Sequence, residues 1–533
     1  MSSSRQQAAK SRFCLSGARR KFRQDGGSPE RQAVAPGTRS QYLDGGLADR
    51  LPALSDLWKI WASLSSHRIP SFREVTVLPS PHDTIAALAT PLGEGGIAVI
   101  RVSGRDALAV GDRVFAPAGM NSSRPSAADS HTVHYGHIVR DGRHVDEVLL
   151  TVFRAPRTYT REDTVEISCH GGIVIARLVL ETVLAAGARL AEPGEFTQRA
   201  FLNGRLDLAQ AEAVADLIHA RTELAAAAAR EQLAGSLSQR INQVRDDLLN
   251  TLAHIEAHID FPDEDIAPDT QERLLSRLDQ AAVFLANLQR TAREGQILRR
   301  GIRAAIVGRP NAGKSSLLNR LLGHERAIVS PIPGTTRDTV EETANMRGIP
   351  VVFVDTAGLR AATDSVEAEG VRRSRAAAAQ AELVLHVLDG SEPFTAEDAL
   401  LRTELSGRAV LNVLNKADLP SRINLPDGLT GVSVSCATGE GLEALKEALE
   451  RLVWAGRVTN EAVPVTVNAR QADALRRSEE GIRRSAAALR DGASLELVAL
   501  DLRIGVSAVG EIVGKTTTDD LLDVIFHQFC LGK

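Results

Sequence analysis

Hydrophobic spacing divides most of the chain into three textures. From 83 to 185 short apolar runs alternate with turns. Residues 97–104 (IAVIRVSG), 145–153 and 164–172 (TVEISCHGG) read as strands, and 173–185 as a helix. Strands and a helix this close in sequence predict a compact α/β domain. Residues 192–197 (EPGEFT) predict a turn ending in a helix cap at Thr197. From 198 to 298 the spacing is helical: 206–218 carries apolar residues three and four apart, alanine is dense over 211–234, and an acidic turn at 260–268 (DFPDEDIAP) precedes a further helix over 271–298. Short apolar strands return at 304–307, 351–354, 409–414 and 432–434. Helical spacing then resumes over 471–490 and 495–514, and the chain ends in 519–533 (DDLLDVIFHQFCLGK). Helices on both sides of the second α/β unit predict that this unit is inserted into one helical domain. The expected division is an N-terminal α/β domain at 83–200, a discontinuous helical domain at 201–298 and 456–533, and the inserted α/β domain at 299–455.

Residues 1–82 stand apart. Positions 2–46 are rich in Arg, Ser, Gln and Gly with few acids and little periodicity, and 56–64 (DLWKIWASL) reads as one short amphipathic helix. A transit peptide is one reading of this composition. A disordered extension, or upstream sequence translated from a start codon placed too early, is the blander reading and is preferred, with the functional chain beginning near 75–82.

A chain of 533 residues accommodates three or four domains, each with its own core. Its 43% hydrophobic and 24% charged content is ordinary for a soluble globular protein. No apolar run approaches the roughly 18 residues that span a bilayer, so no membrane-embedded role is expected. The net charge of −4 argues against non-specific coating of nucleic acid and leaves a local basic face open. The four cysteines (14, 169, 436 and 530) form no C-x-x-C pair. That fits a reducing cytoplasm and speaks against a structural zinc or a disulfide framework.

The candidate chemistry gathers at 308–315 (GRPNAGKS). Residues 304–307 lead in as a strand and 316–322 (SLLNRLL) lead out as a helix. Gly308 and Gly313 let the backbone curl until successive N–H groups point at a phosphate, which gives Asn311, Ala312, Gly313, Lys314, Ser315 and Ser316 as nucleotide contacts. Lys314 is expected to reach the β- and γ-phosphates as a catalytic residue, and the Ser315 hydroxyl to ligate Mg²⁺. Residues 351–355 (VVFVD) end in Asp355, placed for the Mg²⁺ shell, and Thr356, Ala357 and Gly358 follow, the glycine N–H serving the γ-phosphate. In 415–418 (NKAD), Asn415, Lys416 and Asp418 follow another apolar run. The Asp418 carboxylate can accept both N–H donors of a guanine edge, which adenine cannot supply, so the nucleotide is GTP. Ser435 and Ala437, in 435–437 (SCA), back the base. Four elements in this order predict a Ras-like P-loop GTPase domain.

With these residues placed, the chain resembles the MnmE/TrmE family of bacterial and organellar tRNA modification GTPases. The likeness runs through 83–104, 159–172, 192–210 (with PGEFT and the AFLNGRLDLAQAEA run beginning at Ala200), the GTPase domain and 529–533 (FCLGK), leaving 1–82 unexplained. It implies that the N-terminal α/β domain mediates homodimerisation and binds 5-formyl- or 5,10-methylene-tetrahydrofolate, with Arg101, Glu166, Arg205 and Lys533 among the folate contacts. Strand alternation alone reads Glu166 as a solvent-facing position; the resemblance makes it a folate contact. Arg205 stands where the family often has Lys, which keeps the charge and alters the contact geometry. Leu531 replaces an Ile. Cys530 matches the family's tail cysteine and is a candidate for the modification chemistry, against the plain reading of an inert lone thiol.

The resemblance also implies how hydrolysis departs from a Ras-type switch. Ser330, Pro331, Ile332, Pro333, Gly334, Thr335 and Thr336 belong to the first switch, 330–338 (SPIPGTTRD), with Thr336 as its Mg²⁺-sensing threonine. Leu359 stands where Ras-like proteins keep a water-orienting Gln. By resemblance Glu367 takes that role, acting through a bridging water; the bland alternative is a solvated loop acid. Asn311, with oxygens of Ser330, Ile332 and Thr335, matches a K⁺ site formed when two GTPase domains meet. Such a cation replaces an arginine finger, an effect on the order of 10³–10⁵ in rate for fingers supplied in trans. Arg309 and Arg337 are the competing fingers. The implied activity is shared with an FAD-dependent MnmG/GidA-type partner: a carboxymethylaminomethyl or aminomethyl group is added at C5 of the wobble uridine of certain tRNAs, using the folate carbon. The alternative is an RNA-binding ribosome-assembly GTPase of the Era or Der type. That reading predicts a KH-like or second GTPase domain, and the sequence shows no second P-loop.

Overall fold

The computed structural model of this protein describes residues 83–119, 123–260, 271–325, 342–354, 376–454 and 465–533. The helix read at 56–64 and the acidic turn after Asp260 lie outside them.

Seven strands, β1 (Ile85–Leu88), β2 (Ile97–Ser103), β3 (Phe115–Pro117), β4 (Thr132–Arg140), β5 (Arg143–Phe153), β6 (Thr164–His170) and β7 (Arg189–Leu190), form a sheet in the order β3-β4-β5-β6-β2-β1-β7. Period-2 alternation puts Ala98, Ile100 and Val102 of β2, and Val165, Ile167 and Cys169 of β6, on one buried face. The helices Ala107–Val114 and Ile173–Ala185 cover that face, and each buried Ile or Val there contributes about 1.5–3 kcal/mol. Arg101 and Glu166 stand directly opposite each other on β2 and β6 and point to the other face. Strand β4 escapes the hydrophobic pattern because only Gly136 and Ile138 of its nine residues are buried.

The cap expected at Thr197 is corrected. The helix is Glu195–Leu202, and Thr197 lies inside it, buried, with its hydroxyl hydrogen-bonded to that of Tyr159 at 2.9 Å. The turn is held instead by Glu195, whose carboxylate accepts from the Glu192 N–H at 2.9 Å and pairs with Arg189 at 2.7 Å and Arg199 at 2.9 Å.

The helices Ser236–Asp260 and Gln271–Arg290 share one core with Ala469–Arg490 and Leu495–Val513, through residues such as Leu248, Leu285, Leu475 and Leu502. Elements from both sides of the second sheet in sequence are thus packed together. The helix Leu208–His219 begins with Asp207 and Gln210 in a reciprocal capping box. It joins this group through Glu212, bidentate to Arg470 at 2.8 and 2.8 Å and bonded to Gln471 at 2.6 Å.

The strands of the second sheet are β8 (Ile302–Val307), β9 (Glu342–Met346), β10 (Ile349–Phe353), β11 (Leu383–Asp389), β12 (Ala409–Asn415) and β13 (Val432–Ser433). Their order is β13-β12-β11-β8-β10-β9. All neighbours run parallel except β9 and β10. Strands β10 and β11 are buried at every position, as expected of a sheet covered on both faces. The helices Lys314–Glu325 and Leu442–Trp454 share one core with the sheet, while Ala377, Ala378, Ala381 and Leu405 form another with Ala305, Val307 and Val384. Loops leaving the carboxyl ends of β8, β11 and β12 converge at one edge, where open α/β sheets bind ligands.

Candidate functional sites

At the carboxyl end of β8 the chain turns through 308–313 into the helix Lys314–Glu325. Gly308, Asn311 and Gly313 have φ of 151°, 62° and 95°, so the loop curls as its glycines foretell, with Asn311 strained into the left-handed region as well. Asn311 is exposed and Ala312 buried. Lys314 Nζ donates to the carbonyls of Gly308 at 2.9 Å and Arg309 at 2.7 Å, so the ammonium folds over the loop's mouth. Burial lowers its pKa.

The residues after β12 close on this loop. Asn415 Nδ2 donates to the Ala312 carbonyl at 2.9 Å, and Asn415 Oδ1 accepts from the Cys436 N–H at 3.2 Å. Ser435 Oγ donates to Asp418 Oδ1 at 2.5 Å, which aims the carboxylate. The structure therefore brings together two hydrogen-bonded pairs, Ala312 with Asn415 and Asp418 with Ser435, joined through Cys436, which is bonded to Asn415 and follows Ser435. Arg320 ties Ala437 to the helix Lys314–Glu325 by donating to its carbonyl at 2.9 Å. Lys416 pairs with Asp389, at the end of β11, at 2.5 Å; Lys416 and the Ser391 hydroxyl and N–H hold the Asp389 carboxyl below the usual range despite burial. Asp389 was missed in the sequence, although it ends an apolar run just as Asp355 does. Ser315 and Ser316 open the helix, with Ser316 exposed. Curled amides, a lysine at the loop mouth and an oriented Asp418 carboxylate fit a guanine nucleotide. The predicted contacts Ser330 through Thr336, Asp355 through Gly358, and Glu367 lie outside the described residues, as does Arg337.

A second set assembles on the opposite face of the first sheet, where Arg101 and Glu166 are half-buried. Arg101 Nε donates to Glu166 Oε1 at 2.8 Å, and its Nη1 to the Gly532 carbonyl at 3.3 Å. The guanidinium lies 5.8 Å from the Tyr159 ring centre and 5.7 Å from that of Phe196. Arg205 stacks over the other arginine's neighbour, Tyr159, at 4.9 Å and donates to its carbonyl at 3.1 Å. Lys533 approaches the same place: burial, and then Arg101, lower its pKa, while Glu166 opposes them. Arg101, Glu166, Tyr159 and Arg205 line a cavity of about 490 Å³. Four lining arginines (101, 157, 161 and 205) and an aromatic wall suit a flat, anionic ligand. Tyr159 and Phe196 are the residues sequence reading passed over; both lie in stretches that carry the family likeness. Cys530 is exposed, and its carbonyl accepts from the Gly194 N–H at 3.4 Å. A larger cleft of about 1020 Å³, between the helices Ser236–Asp260 and Gln271–Arg290, is lined by none of the predicted site residues.

Comparison with known proteins decides the family. The MnmE helical domain matches residues 208–530, and the N-terminus of the GTP-binding protein TrmE matches 84–205. The tRNA modification GTPase MnmE of Listeria welshimeri is 47% identical over 458 residues, covering 85% of this chain and 99% of that protein. The chain belongs to the MnmE family. The MnmE of Chloroflexus aurantiacus is 48% identical over 459 residues, again 85% of this chain, and all of that protein is covered. A solved structure, the G domain of the T. maritima FeoB iron transporter, covers 28% of this chain at 28% identity with a TM-score of 0.22. MnmE membership agrees with a helical plus P-loop GTPase architecture and does not favour the Era/Der alternative. Among the described residues no helix is long and apolar enough to cross a membrane.

Proposed function

We propose that this chain is a GTPase of tRNA modification. With an FAD-dependent MnmG/GidA-type partner it places a carboxymethylaminomethyl or aminomethyl group at C5 of a tRNA wobble uridine, in the cytoplasm and as a homodimer. The observation that carries the GTPase reading is the set joining Ala312 to Asn415 and Asp418 to Ser435 at the carboxyl edge of the second sheet. Asp418 selects guanine, and Lys314 and the loop amides hold the phosphates. Ser315 and Thr336 would ligate Mg²⁺, which neutralises charge on the phosphates when bound. Asn311, Ser330, Ile332 and Thr335 would hold K⁺, and Glu367 would orient the attacking water. A tetrahydrofolate one-carbon unit would sit by Arg101, Glu166, Arg205 and Lys533, with Cys530 near the chemistry. The functional division is that of 83–200, 201–298 with 456–533, and 299–455.

The K⁺ reading is supported by Arg309. Its Nε donates to Asp398 at 2.9 Å, and its Nη1 lies 3.3 Å from Glu392, so this arginine is engaged within its own domain. The deciding experiment is GTP hydrolysis in KCl and in NaCl at matched ionic strength, alongside Asn311→Ala. Activation by K⁺ alone, lost in the variant, is expected. Equal rates in the two salts would return the catalytic charge to an arginine or an external activator.

A further inference from the structure

In sequence, the hairpin β9–β10 connects 330–338 to 355–358, the two stretches assigned above to the γ-phosphate and Mg²⁺. This hairpin is bonded to residues far earlier in the chain. Arg221 Nη1 donates to Thr343 Oγ1 at 2.8 Å, and Thr222 Oγ1 donates to the Gly348 carbonyl at 2.7 Å. Thr222 is buried, and its oxygen also accepts from the Ala225 N–H at 3.2 Å, capping the helix Glu223–Leu233. Leu224 packs so closely over Gly348 that a Cβ there would lie 3.0 Å from it. Ala225 and Ala228 share a core with Met346 and Ile349.

Arg221 and Thr222 follow the helix Leu208–His219 after the single residue Ala220. That helix has another tie to the GTPase domain, since Asp216 accepts from Arg299 at 2.5 Å and the helix Ala292–Arg300 runs into β8. Nearer its start, Leu208 and Ala211 pack in one cluster with Phe526 and Phe529. Three residues beyond Phe529, the Gly532 carbonyl receives Arg101. One helix of 12 residues, about 18 Å long, therefore touches the nucleotide domain at one end and the segment beside Arg101 at the other.

We infer that Arg221, Thr222 and Thr343 are positioning residues that couple the nucleotide state of the GTPase domain to residues 522–533 through the helix Leu208–His219. The inference rests on the GTPase reading and is independent of the folate reading. Packed interfaces respond to small displacements by changing between discrete arrangements rather than by deforming smoothly. A shift of the hairpin either breaks the bonds at Thr343 and Gly348 or carries the capped helix with it. The buried contacts of Thr222 and Leu224 favour the second.

The test is amide hydrogen exchange on the full chain, nucleotide-free and saturated with a non-hydrolysable GTP analogue. In the unaltered protein, exchange over 522–533 should change about fivefold or more, the lower end of ordinary coupling. In Arg221→Ala with Thr343→Val the change should fall below about twofold, while affinity for a fluorescent GDP analogue stays the same. Thr343→Val alone, isosteric and lacking the acceptor oxygen, covers the case in which the double variant misfolds, and should show the same loss in weaker form. A nucleotide response that persists in the variants overturns the inference, as does nucleotide binding to the unaltered protein with no response at 522–533. Failure to bind nucleotide at all would instead sink the GTPase reading and the coupling with it.

Discussion

The Arg309 guanidinium donates to the carboxylate of Asp398 at 2.9 Å, and Asp398 is only 1% exposed. The other oxygen of Asp398 accepts from the Thr395 N–H at 2.9 Å and its hydroxyl at 2.8 Å, closing a capping box at the start of the helix Ala396–Glu404. A residue of the phosphate loop is thereby fastened to a helix almost ninety positions later in the chain.

This pairing separates two readings of Arg309. A finger has to leave its own carboxylates and reach a neighbouring site, and its loss costs on the order of 10³–10⁵ in rate. We expect Arg309→Ala to lower single-turnover GTP hydrolysis in KCl by less than about tenfold. A thousandfold loss would make it the finger. Asp398→Ala leaves Arg309 with only the exposed carboxylate of Glu392 and unmakes the cap, and should destabilise the GTPase domain by about 1.5–3 kcal/mol in thermal or denaturant melts.

Gly532 is expected to be intolerant of a side chain. Its φ is 87°, and a Cβ would lie 2.4 Å from the Leu88 carbonyl oxygen. Gly532→Ala should therefore displace the segment that presents a carbonyl to Arg101 and carries Lys533. Titration calorimetry with 5-formyl-tetrahydrofolate should show at least about a tenfold loss of affinity, about 1.4 kcal/mol, with GTP hydrolysis unaffected. Unchanged folate binding would remove the segment from that site.

Local pattern made much of this architecture legible. The helix at Ile173–Ala185 and the strand β12 fall where periodicity puts them, because their apolar residues lie at the helical or strand repeat with few interruptions. The loop 308–315 was legible because its chemistry is contiguous. What stayed hidden depends on partners distant in sequence. Arg101 meets Gly532 across 431 positions, and no local pattern announces that contact. Thr197 looked like a cap because it closely follows Pro-Gly, but buried Glu195 and Arg199, with half-buried Arg189, fix the turn. Only the family likeness proposes Glu166 as a ligand contact; alternation correctly gave its face of the sheet and nothing more.

Glu212 anchors the helix Leu208–His219 to the helical core. It is buried, and its two oxygens take Arg470 bidentately while Gln471 adds a third donor. Arg470 also donates to the carbonyls of Glu511 at 2.9 Å and Ile512 at 3.2 Å, so one ion pair joins three helices. Glu212→Ala leaves a largely buried guanidinium without its counter-charge and should cost about 3–5 kcal/mol. Glu212→Gln, which keeps the shape and some of the hydrogen bonds, should cost less. Equal melting temperatures for the alanine variant and the parent protein would show that water replaces the carboxylate freely.

Asp216 should give the same region a pH dependence of unusual sign. Burial lifts its carboxyl to about 6, outweighing Arg299, and Glu212 pushes in the same direction. The unfolded chain releases this proton near pH 3.8, the ordinary value. Between about pH 4 and 6 the folded state therefore holds more protons than the unfolded state, and the contribution of this group falls as pH rises through that window. Asp216→Asn removes the titration. Relative to this variant, the parent protein should lose up to about 2–3 kcal/mol between pH 4 and pH 7. Melting curves of both proteins across that range measure the difference. If the parent instead gains stability over the variant as pH rises, the ionised pair with Arg299 dominates and the folded carboxyl titrates below its unfolded value.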